Sequence, residues 1–452
     1  MWDAPLPDTA TNKKLIILDP SLKDLGGHFY EYDAALGAAA SRRAIHTLIY
    51  ANKSCPAGLP VPGGEIHPWF STAWSASGGR SKSTARFILS KLPITLRIPL
   101  ARLGRLVWAL TKKSAPRPPN ANAAISTVAE KFGKEVIAAL RHAGCNRDDI
   151  VFLPTIRTSE LFALWKAVQS TAELKSLQFH IVLRRDAAEM DLPEDGAPGI
   201  SFLFKELNAA PARKAFIFYC DTQQLCNDYA LLSSHRQEFR LLPIPYPSVD
   251  AEPISLETWS HGPAVKLVYL GGARVEKGFH LLSLAENSLR KTCAGEILWR
   301  LQASISGGLE EPEVISARRN LSSVRDGSVE LVERNLTTSE FQSLLLSADI
   351  VLLPYLPEFY RARSSGILVQ ALAAGKPVIV PANTWLSKQT NGIGVVEFAG
   401  PSGFPDAILQ AIYQLPKLSQ EARERATVYA SLNSADALLT VLEKDARAAQ
   451  NC

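Results

Sequence analysis

A glycine-rich turn in the second half of the chain carries two cations at a spacing suited to phosphate binding. In "LVYLGGARVEKGFHLL", an apolar strand ends at Gly271 and Gly272, Arg274 and Lys277 follow, and a helix begins after Gly278. Glycines let the backbone approach a ligand, and free amides at a helix N-terminus attract anions. The stretch predicts a cradle for a diphosphate, in which Arg274 and Lys277 would stabilise the leaving group. A solvated lysine and arginine on an ordinary turn are the alternative.

A second stretch, "YRARSSGILVQALAAGKPVIVP", places cations and hydroxyls directly before an apolar helix. It follows "ADIVLLPY", which reads as a strand, so it lies where open α/β sheets bind ligands. One serine is expected to cap the helix and leave backbone amides free for an anion. The residues of this predicted phosphate loop are Arg361, Arg363, Ser364, Ser365 and Gly366. The alternative is that the serines only cap the helix and the arginines are solvated.

The first half of the chain contains two more groups that could reach a ligand. In "DLGGHFYEY", Gly26, Gly27 and His28 form a junction between a strand and a helix, which is a place where phosphates bind. A tight turn that needs positive φ explains the same glycines. In "FHIVLRRDAAE", Arg184 and Arg185 end a strand. They could contact an acceptor or a departing phosphate, or they could close a surface ion pair.

The elements that position these residues alternate between strand and helix. "KLIILDP" reads as a buried parallel strand, "HFYEYDAALGAAASRR" has helical composition, and "AIHTLIYANK" reads as the next strand. This alternation predicts a doubly wound α/β domain over residues 1–247. The polar stretch 248–264 interrupts the pattern, and the alternation then resumes over 265–452, ending in helices. Two Rossmann-like domains are therefore expected, with a ligand cleft between them.

The positive charge of the chain is concentrated in one segment, residues 80–117. The net charge is +5, yet every charged side chain between Glu65 and Glu130 is Lys or Arg. From Pro99 onward, the apolar residues lie at helical spacing: Leu100, Leu103, Leu106, Val107 and Leu110. The pattern is typical of a helix that lies on an anionic membrane surface. It also fits an ordinary domain helix. Nucleic acid is not an expected partner, because no nucleic-acid-binding motif accompanies the basic run.

Composition excludes several classes of protein. The chain has 452 residues, of which 46% are apolar and 21% are charged, as in ordinary globular proteins. Its six cysteines are scattered and follow no signal peptide, and no apolar stretch is long enough to span a bilayer. A cytoplasmic protein is expected, and the basic segment could attach it to the inner face of the cell membrane.

Three stretches of the second half resemble the retaining GT-B glycosyltransferases of family four: "YLGGARVEKGFHLL", "SADIVLLPY" and "SSGILVQALAAGKPVIVP". The resemblance is specific from about residue 265 to residue 381. It implies the GT-B fold, a nucleotide-sugar donor bound by the second domain and an acceptor bound by the first. It also implies that Lys277 binds the donor diphosphate. Gly272 stands where the family usually has an arginine, and Arg274 could take that arginine's place.

The sequence departs from this family at two carboxylates. The family has a pair of glutamates, the first contacting the donor sugar and the second the nucleotide ribose. In this chain Ala362 and Gln370 stand at those positions. Gln370 can still form a hydrogen bond to a ribose hydroxyl. Ala362 can contact no hydroxyl, so the way in which the sugar is recognised is left open.

These observations predict a glycosyltransferase that moves a sugar from a nucleotide-diphosphate sugar to a hydroxyl of a glycan or a lipid-linked acceptor, with retention of configuration. No Asp-x-Asp motif is present, so neither a metal nor another cofactor is expected. A nucleotide-sugar 2-epimerase shares the architecture but needs carboxylates in the cleft. A binding protein that has lost catalysis is a third hypothesis, because both family glutamates are absent.

Overall fold

The structure is a computed structural model. It describes residues 13–23, 28–56, 58–71, 127–194, 197–210, 215–246, 264–290, 293, 297–304 and 311–450. The basic segment 80–117 lies outside the described residues, and so does the proposed linker up to residue 263. No helix in the described ranges is long and apolar enough to cross a bilayer.

The first half forms a parallel sheet of seven strands. In chain order its strands are β1 (Lys14–Asp19), β2 (His46–Asn52), β3 (Gly64–Phe70), β4 (Ile150–Leu153), β5 (Phe179–Val182), β6 (Phe216–Cys220) and β7 (Phe239–Leu241). Their order across the sheet is β3-β2-β1-β4-β5-β6-β7. The reversal between β1 and β4 is the topological switch point of a doubly wound sheet.

The second half forms a parallel sheet of six strands. They are β8 (Val265–Tyr269), β9 (Ile297–Gln302), β10 (Val329–Val332), β11 (Ile350–Leu352), β12 (Val378–Pro381) and β13 (Val395–Phe398). Their order across the sheet is β10-β9-β8-β11-β12-β13. This sheet has its own reversal of order, between β8 and β11.

Helices connect the strands of both sheets. In the first half they are α1 (His28–Arg42), α2 (Thr127–His142), α3 (Thr158–Ser170), α4 (Ala187–Met190), α5 (Ile200–Ala209) and α6 (Gln223–Leu232), with a 3₁₀ turn at Ala172–Ser176. In the second half they are α7 (Phe279–Leu289), α8 (Pro312–Ser322), α9 (Thr338–Leu346), α10 (Pro357–Tyr360), α11 (Gly366–Ala373), α12 (Trp385–Thr390), α13 (Gly403–Tyr413), α14 (Leu415–Leu432) and α15 (Ala435–Gln450), with a 3₁₀ turn at Val275–Lys277.

Strand β1 shows why apolar runs without alternation form these sheets. Leu15 and Ile17 pack into one core with helix α1, whereas Ile16 and Leu18 pack into a second core with helices α2 and α3. Both faces of the strand are covered, so every side chain from residue 15 to residue 18 is fully buried. The strands of the second sheet lie in a separate core.

Helix α15 follows the second sheet in sequence but packs on the first. Its residues Leu438, Leu439 and Leu442 are fully buried in the core that contains Leu15 and Ile17. Polar contacts fasten the helix at its edges. Arg43 Nη1 lies 2.6 Å from Glu443 Oε2, and the Tyr219 hydroxyl donates to Asp445 Oδ2 at 2.8 Å. The first domain therefore takes part of its core from residues at the far end of the chain.

Every strand that the sequence predicts is present, and the α/β class is confirmed. Strand β3 was not predicted, because Gly64 and Pro68 interrupt its apolar pattern. The strand lies at the edge of the sheet, where proline is tolerated because one side of the strand forms no ladder bonds.

Candidate functional site

The two sheets meet through the loops that follow their strands. Asp221 directly follows strand β6, and its Oδ2 accepts a 2.6 Å hydrogen bond from Ser364 Oγ in the second half of the chain. Thr222 Oγ1 donates to the Ala362 carbonyl at 2.7 Å. These contacts join the carboxyl edge of the first sheet to the loop between helices α10 and α11.

Lys277 lies against the glycine turn that follows strand β8. Gly271 has a φ of +102°, and a Cβ added to it would come within 2.7 Å of Lys277 Nζ and 2.9 Å of Ile367 Cδ1. The ammonium group and the first turn of helix α11 are therefore both near the Gly271 backbone. Gly278 then adopts the left-handed conformation at the start of helix α7, with φ +67°. The turn brings one lysine to the start of helix α11.

The Lys277 side chain is a buried cation with other cations near it. The residue is 8% exposed, and burial lowers the pKa of its ammonium group to about 7. The positive charges of Arg274 and Arg363 contribute to this lowering of the pKa, whereas the charge of Glu276 opposes it. A bound anion would replace the lost hydration and raise this pKa again.

Glu276 forms ion pairs with two arginines of this region, Arg274 and Arg363. Its Oε1 is 2.9 Å from Arg274 Nη1 and 3.3 Å from Arg363 Nη1. The Arg363 guanidinium also lies 5.4 Å from the centre of the Tyr360 ring. Lys277 lies within electrostatic reach of all three groups, so the region has more basic groups than acidic ones. It suits a ligand that carries more than one negative charge.

One part of the predicted phosphate loop begins helix α11, and another part contacts the first domain. Ser365 is the N-cap of helix α11 and accepts a 3.3 Å hydrogen bond from the Leu368 amide. Gly366 begins the helix, and Gln370 is buried within it. Arg361 pairs with the first domain, because its Nη2 lies 2.7 Å from Asp228 Oδ2.

The two arginines after strand β5 point in different directions. The Arg184 guanidinium lies over the Tyr32 ring, 4.5 Å from its centre, and its Nε is 4.0 Å from Asp221 Oδ2. Arg185 instead lies 3.4 Å from Glu194 Oε1, in a partly exposed ion pair. Arg184 lies beside Asp221, which accepts the hydrogen bond from Ser364 in the loop of the second domain.

Three buried carboxyl groups lie around Arg184, and sequence reasoning missed all of them. Asp19 ends strand β1, Asp33 lies on helix α1 and Asp221 follows strand β6. Burial raises the pKa of all three, that of Asp19 to about 6. The Asp19 charge raises the pKa of Asp33 further, and Arg184 lowers all three. The available signal was an aspartate that ends an apolar run, in "KLIILD" and "AFIFYCD".

Some predicted site residues cannot be placed. Gly26 and Gly27 lie outside the described residues, and so does the side chain of His28, although helix α1 begins at that residue as predicted. Gly272 is described, and its carbonyl accepts a 3.1 Å hydrogen bond from the Tyr269 hydroxyl. No group of three or more His, Cys, Asp or Glu side chains in the described part of the chain could hold a metal ion.

Two parallel sheets that face each other through their carboxyl edges, with the final helix returning to the first domain, are the architecture of the GT-B fold. The chain has this fold, as the sequence predicted. No protein-family model matches the sequence, and no curated protein does. Membership of glycosyltransferase family four stays a prediction.

Solved structures with the same fold cover nearly the whole chain. Sucrose-phosphate synthase from Thermosynechococcus elongatus is 14% identical, and the match covers 97% of this chain and 100% of that one, with a TM-score of 0.59. The E. coli trehalose-6-phosphate protein bound with UDP-2-fluoro glucose is 11% identical over 95% of this chain and 99% of its own, with a TM-score of 0.59. The α,α-trehalose 6-phosphate synthase from Burkholderia multivorans is 9% identical over 97% and 99%, with a TM-score of 0.58. At these identities the likeness shows the fold alone.

Proposed function

We propose that this chain is a glycosyltransferase that moves a sugar from a nucleotide-diphosphate donor to a hydroxyl acceptor. The observation that carries the proposal is the arrangement of Arg274, Lys277 and Arg363 around a glycine turn, with Glu276 as the adjoining carboxylate. Two structural neighbours support the same class of reaction: one is named a sucrose-phosphate synthase, and the other is bound with UDP-2-fluoro glucose.

The proposed chemistry follows from the charges. When the bond between the anomeric carbon and the diphosphate oxygen breaks, negative charge builds up on the leaving diphosphate. Arg274, Lys277 and Arg363 stabilise that charge, together with the amides at the start of helix α11. Burial strengthens the Lys277 contribution, because water screens its charge less. In this proposal the reaction needs no metal ion and retains the configuration of the sugar.

The remaining roles divide between the domains. We assign the diphosphate to Gly271, Gly272 and the loop Arg363–Gly366, and the ribose to Gln370. We assign the acceptor, a glycan or a lipid-linked hydroxyl, to the first domain beside Arg184, and contacts with the donor phosphates to Gly26, Gly27 and His28 of the same domain. Polysaccharide biosynthesis is the process that such acceptors suggest.

Replacement of Lys277 tests the diphosphate assignment. We expect Lys277→Ala to lower kcat/KM for transfer from the donor about 10²- to 10³-fold, the usual effect of removing one group that stabilises a developing anion. A thermal-shift panel of nucleotide sugars identifies the donor, since a ligand at 100 times its Kd stabilises the protein by about 2.7 kcal/mol. The matched control is Lys388→Ala, because Lys388 is exposed on helix α12. Transfer at the wild-type rate in Lys277→Ala would contradict the proposal.

A nucleotide-sugar 2-epimerase is the second candidate, and one observation favours it. An epimerase needs acid and base groups near the sugar, and Asp19 has its pKa raised to about 6 by burial on the carboxyl edge of the first sheet. Donor incubated without an acceptor distinguishes the two activities, because only the epimerase converts the nucleotide sugar to a different one. A protein that binds nucleotide sugars but neither transfers nor converts them would be a binding protein.

Membrane attachment is a separate proposal that rests on the sequence of residues 80–117. Replacement of Arg102, Arg105, Lys112 and Lys113 by glutamine should reduce sedimentation with vesicles that contain anionic lipid, and added salt should have the same effect. If the wild-type protein does not sediment with these vesicles at low salt, the basic segment serves another purpose, and we place the protein in the cytoplasm without membrane attachment.

A further inference from the structure

Ala362 cannot recognise a sugar, and its surroundings show why. The residue is 5% exposed and packs with the core of the first domain, while its carbonyl accepts the hydrogen bond from Thr222 Oγ1. Its methyl group offers no polar atom. If a donor sugar is bound here, a hydroxyl acceptor must come from another residue near this loop.

Asp221 is a carboxylate at that place. It adjoins Thr222, so it lies beside Ala362 although it belongs to the other domain. The residue is 6% exposed, and its Oδ2 accepts the hydrogen bond from Ser364 Oγ. Its Oδ1 is buried and accepts no hydrogen bond from another residue in the described ranges. A buried carboxylate oxygen without a hydrogen-bond donor destabilises the folded protein, and a ligand hydroxyl could supply the missing hydrogen bond.

The neighbours of Asp221 connect it to the proposed diphosphate site. Arg363 precedes Ser364 in the chain, and its charge lowers the pKa of both Lys277 and Asp221. One guanidinium thus lies within electrostatic reach of both groups. A sugar attached to a diphosphate at Lys277 and Arg363 would extend from the second domain towards the edge of the first, where Asp221 lies.

The chemistry of Asp221 Oδ1 indicates what kind of group it can bind. A carboxylate oxygen accepts hydrogen bonds from hydroxyl groups and repels anions. Arg184 Nε, 4.0 Å from Asp221 Oδ2, balances part of the buried negative charge and has no hydrogen-bond partner of its own in the described ranges. The pair suits a group that carries several hydroxyls rather than a phosphate.

We propose that Asp221 Oδ1 accepts a hydrogen bond from a hydroxyl of the transferred sugar, so that the first domain completes the donor site. The inference rests on the proposed function, because it assumes a nucleotide-sugar donor. It makes Asp221 a residue that determines sugar specificity, in the role that the side chain of Ala362 cannot fill.

Calorimetric titration of two matched ligand pairs tests this assignment: UDP with UDP-glucose, and GDP with GDP-mannose. Each pair differs only by the sugar. For the pair that binds to the wild-type protein, we expect Asp221→Ala to lower the affinity for the nucleotide sugar about tenfold to a hundredfold. This is the usual effect of losing a hydrogen bond to a charged group. The affinity for the free nucleoside diphosphate should change less than about twofold, since a simple loss of folding would affect both ligands.

Asp228→Asn is the control. It weakens another contact between the domains, the ion pair between Asp228 and Arg361, but keeps the Asp221 carboxylate, so it should leave both affinities near the wild-type values. If Asp228→Asn weakens binding of the nucleotide sugar as much as Asp221→Ala does, the loss comes from the contact between the domains, and the inference is wrong. Equal nucleotide-sugar affinities in wild type and Asp221→Ala would also overturn it.

The result with wild type separates this inference from the proposed function. Wild type that binds neither nucleoside diphosphate would contradict the proposed function itself. If the wild-type protein binds a nucleoside diphosphate but neither nucleotide sugar, the site binds nucleotides only. The proposed role of Asp221 in sugar binding would then be wrong. Thermal unfolding of both variants shows whether they are folded at the temperature of the titration.

Discussion

At the scale of single residues, Lys277 makes ligand binding sensitive to pH. Its pKa of about 7 means that the free protein is mostly uncharged at this position at pH 8. A diphosphate stabilises the charged form, so binding at pH 8 should take up close to one proton, and at pH 6 only about a tenth of one. The affinity should fall as the pH rises above 7. Calorimetry with UDP-glucose, whose diphosphate diester gains and loses no proton between pH 6 and pH 8, measures the proton uptake in two buffers of different ionisation enthalpy.

Lys277→Met is the control for this pH dependence, because methionine has a similar length and no charge. We expect the variant to take up no proton at pH 8 and to show little loss of affinity between pH 7 and pH 9. Proton uptake equal to that of wild type would assign the titration to another group.

Asp33 and Asp19 should make the protein less stable as the pH rises. Burial raises the pKa of both carboxyls, so above pH 4 the folded state holds more protons than the unfolded state, and the unfolding free energy falls with rising pH. For Asp19 this continues to a pH of about 6. The slope is at most about 1.4 kcal/mol per pH unit for each group. Asp33→Asn should flatten the fall, as measured by urea unfolding between pH 5 and pH 8.

The exposed Asp148→Asn serves as the comparison, because it removes a carboxylate from a solvated turn. Its unfolding free energy should follow the wild-type pH dependence. Parallel curves for wild type, Asp148→Asn and Asp33→Asn would show that Asp33 does not titrate abnormally.

At the scale of elements, the turn between strand β8 and helix α7 depends on Gly278. Its φ is +67°, and a Cβ added there would come within 1.7 Å of the Pro354 carbonyl oxygen, which follows strand β11. We expect Gly278→Ala to lower the unfolding free energy by more than the strain of a left-handed alanine, which costs about 1 to 2 kcal/mol. It should also abolish UDP binding, because the displaced turn moves Lys277.

Gly392→Ala separates these two effects. Gly392 has a φ of +73° and no atom within 4 Å of an added Cβ, so its replacement introduces the strain without the clash. Urea unfolding of the two variants should therefore give a clearly larger loss for Gly278→Ala. Equal losses would mean that the Pro354 segment moves aside and the close approach is not essential.

Sequence patterns predict these elements well where the cause is local. Continuous apolar runs identify the buried strands, and the serine before Gly366 identifies the start of helix α11. The sequence does not predict strand β3, because a strand at the sheet edge is only partly buried and its glycine and proline are typical of a loop. The ion pair between Arg361 and Asp228 is not predicted for another reason. It joins two domains, and no local pattern records which distant carboxylate will face a given arginine.

At the scale of the whole molecule, helix α15 links the second half of the chain to the first. We expect Leu439→Ala to cost about 2 to 5 kcal/mol, the usual range for a leucine removed from a packed core. Leu432→Ala should cost little, because Leu432 is 63% exposed at the end of helix α14. Urea unfolding followed by tryptophan fluorescence measures both. Similar values for the two variants would show that the contacts of α15 with the first domain contribute little to stability.

The return of helix α15 has a consequence for synthesis on the ribosome. Strands β1 to β7 leave the exit tunnel first, but the face of their sheet that needs Leu438, Leu439 and Leu442 stays uncovered until residues 435–450 have been translated. The second domain has a core of its own strands and helices and can complete it earlier. We therefore expect the second domain to complete its core before the first, the reverse of the usual order in which the N-terminal domain folds first during translation. Until helix α15 packs against it, the first domain should expose the apolar surface that Leu438, Leu439 and Leu442 cover.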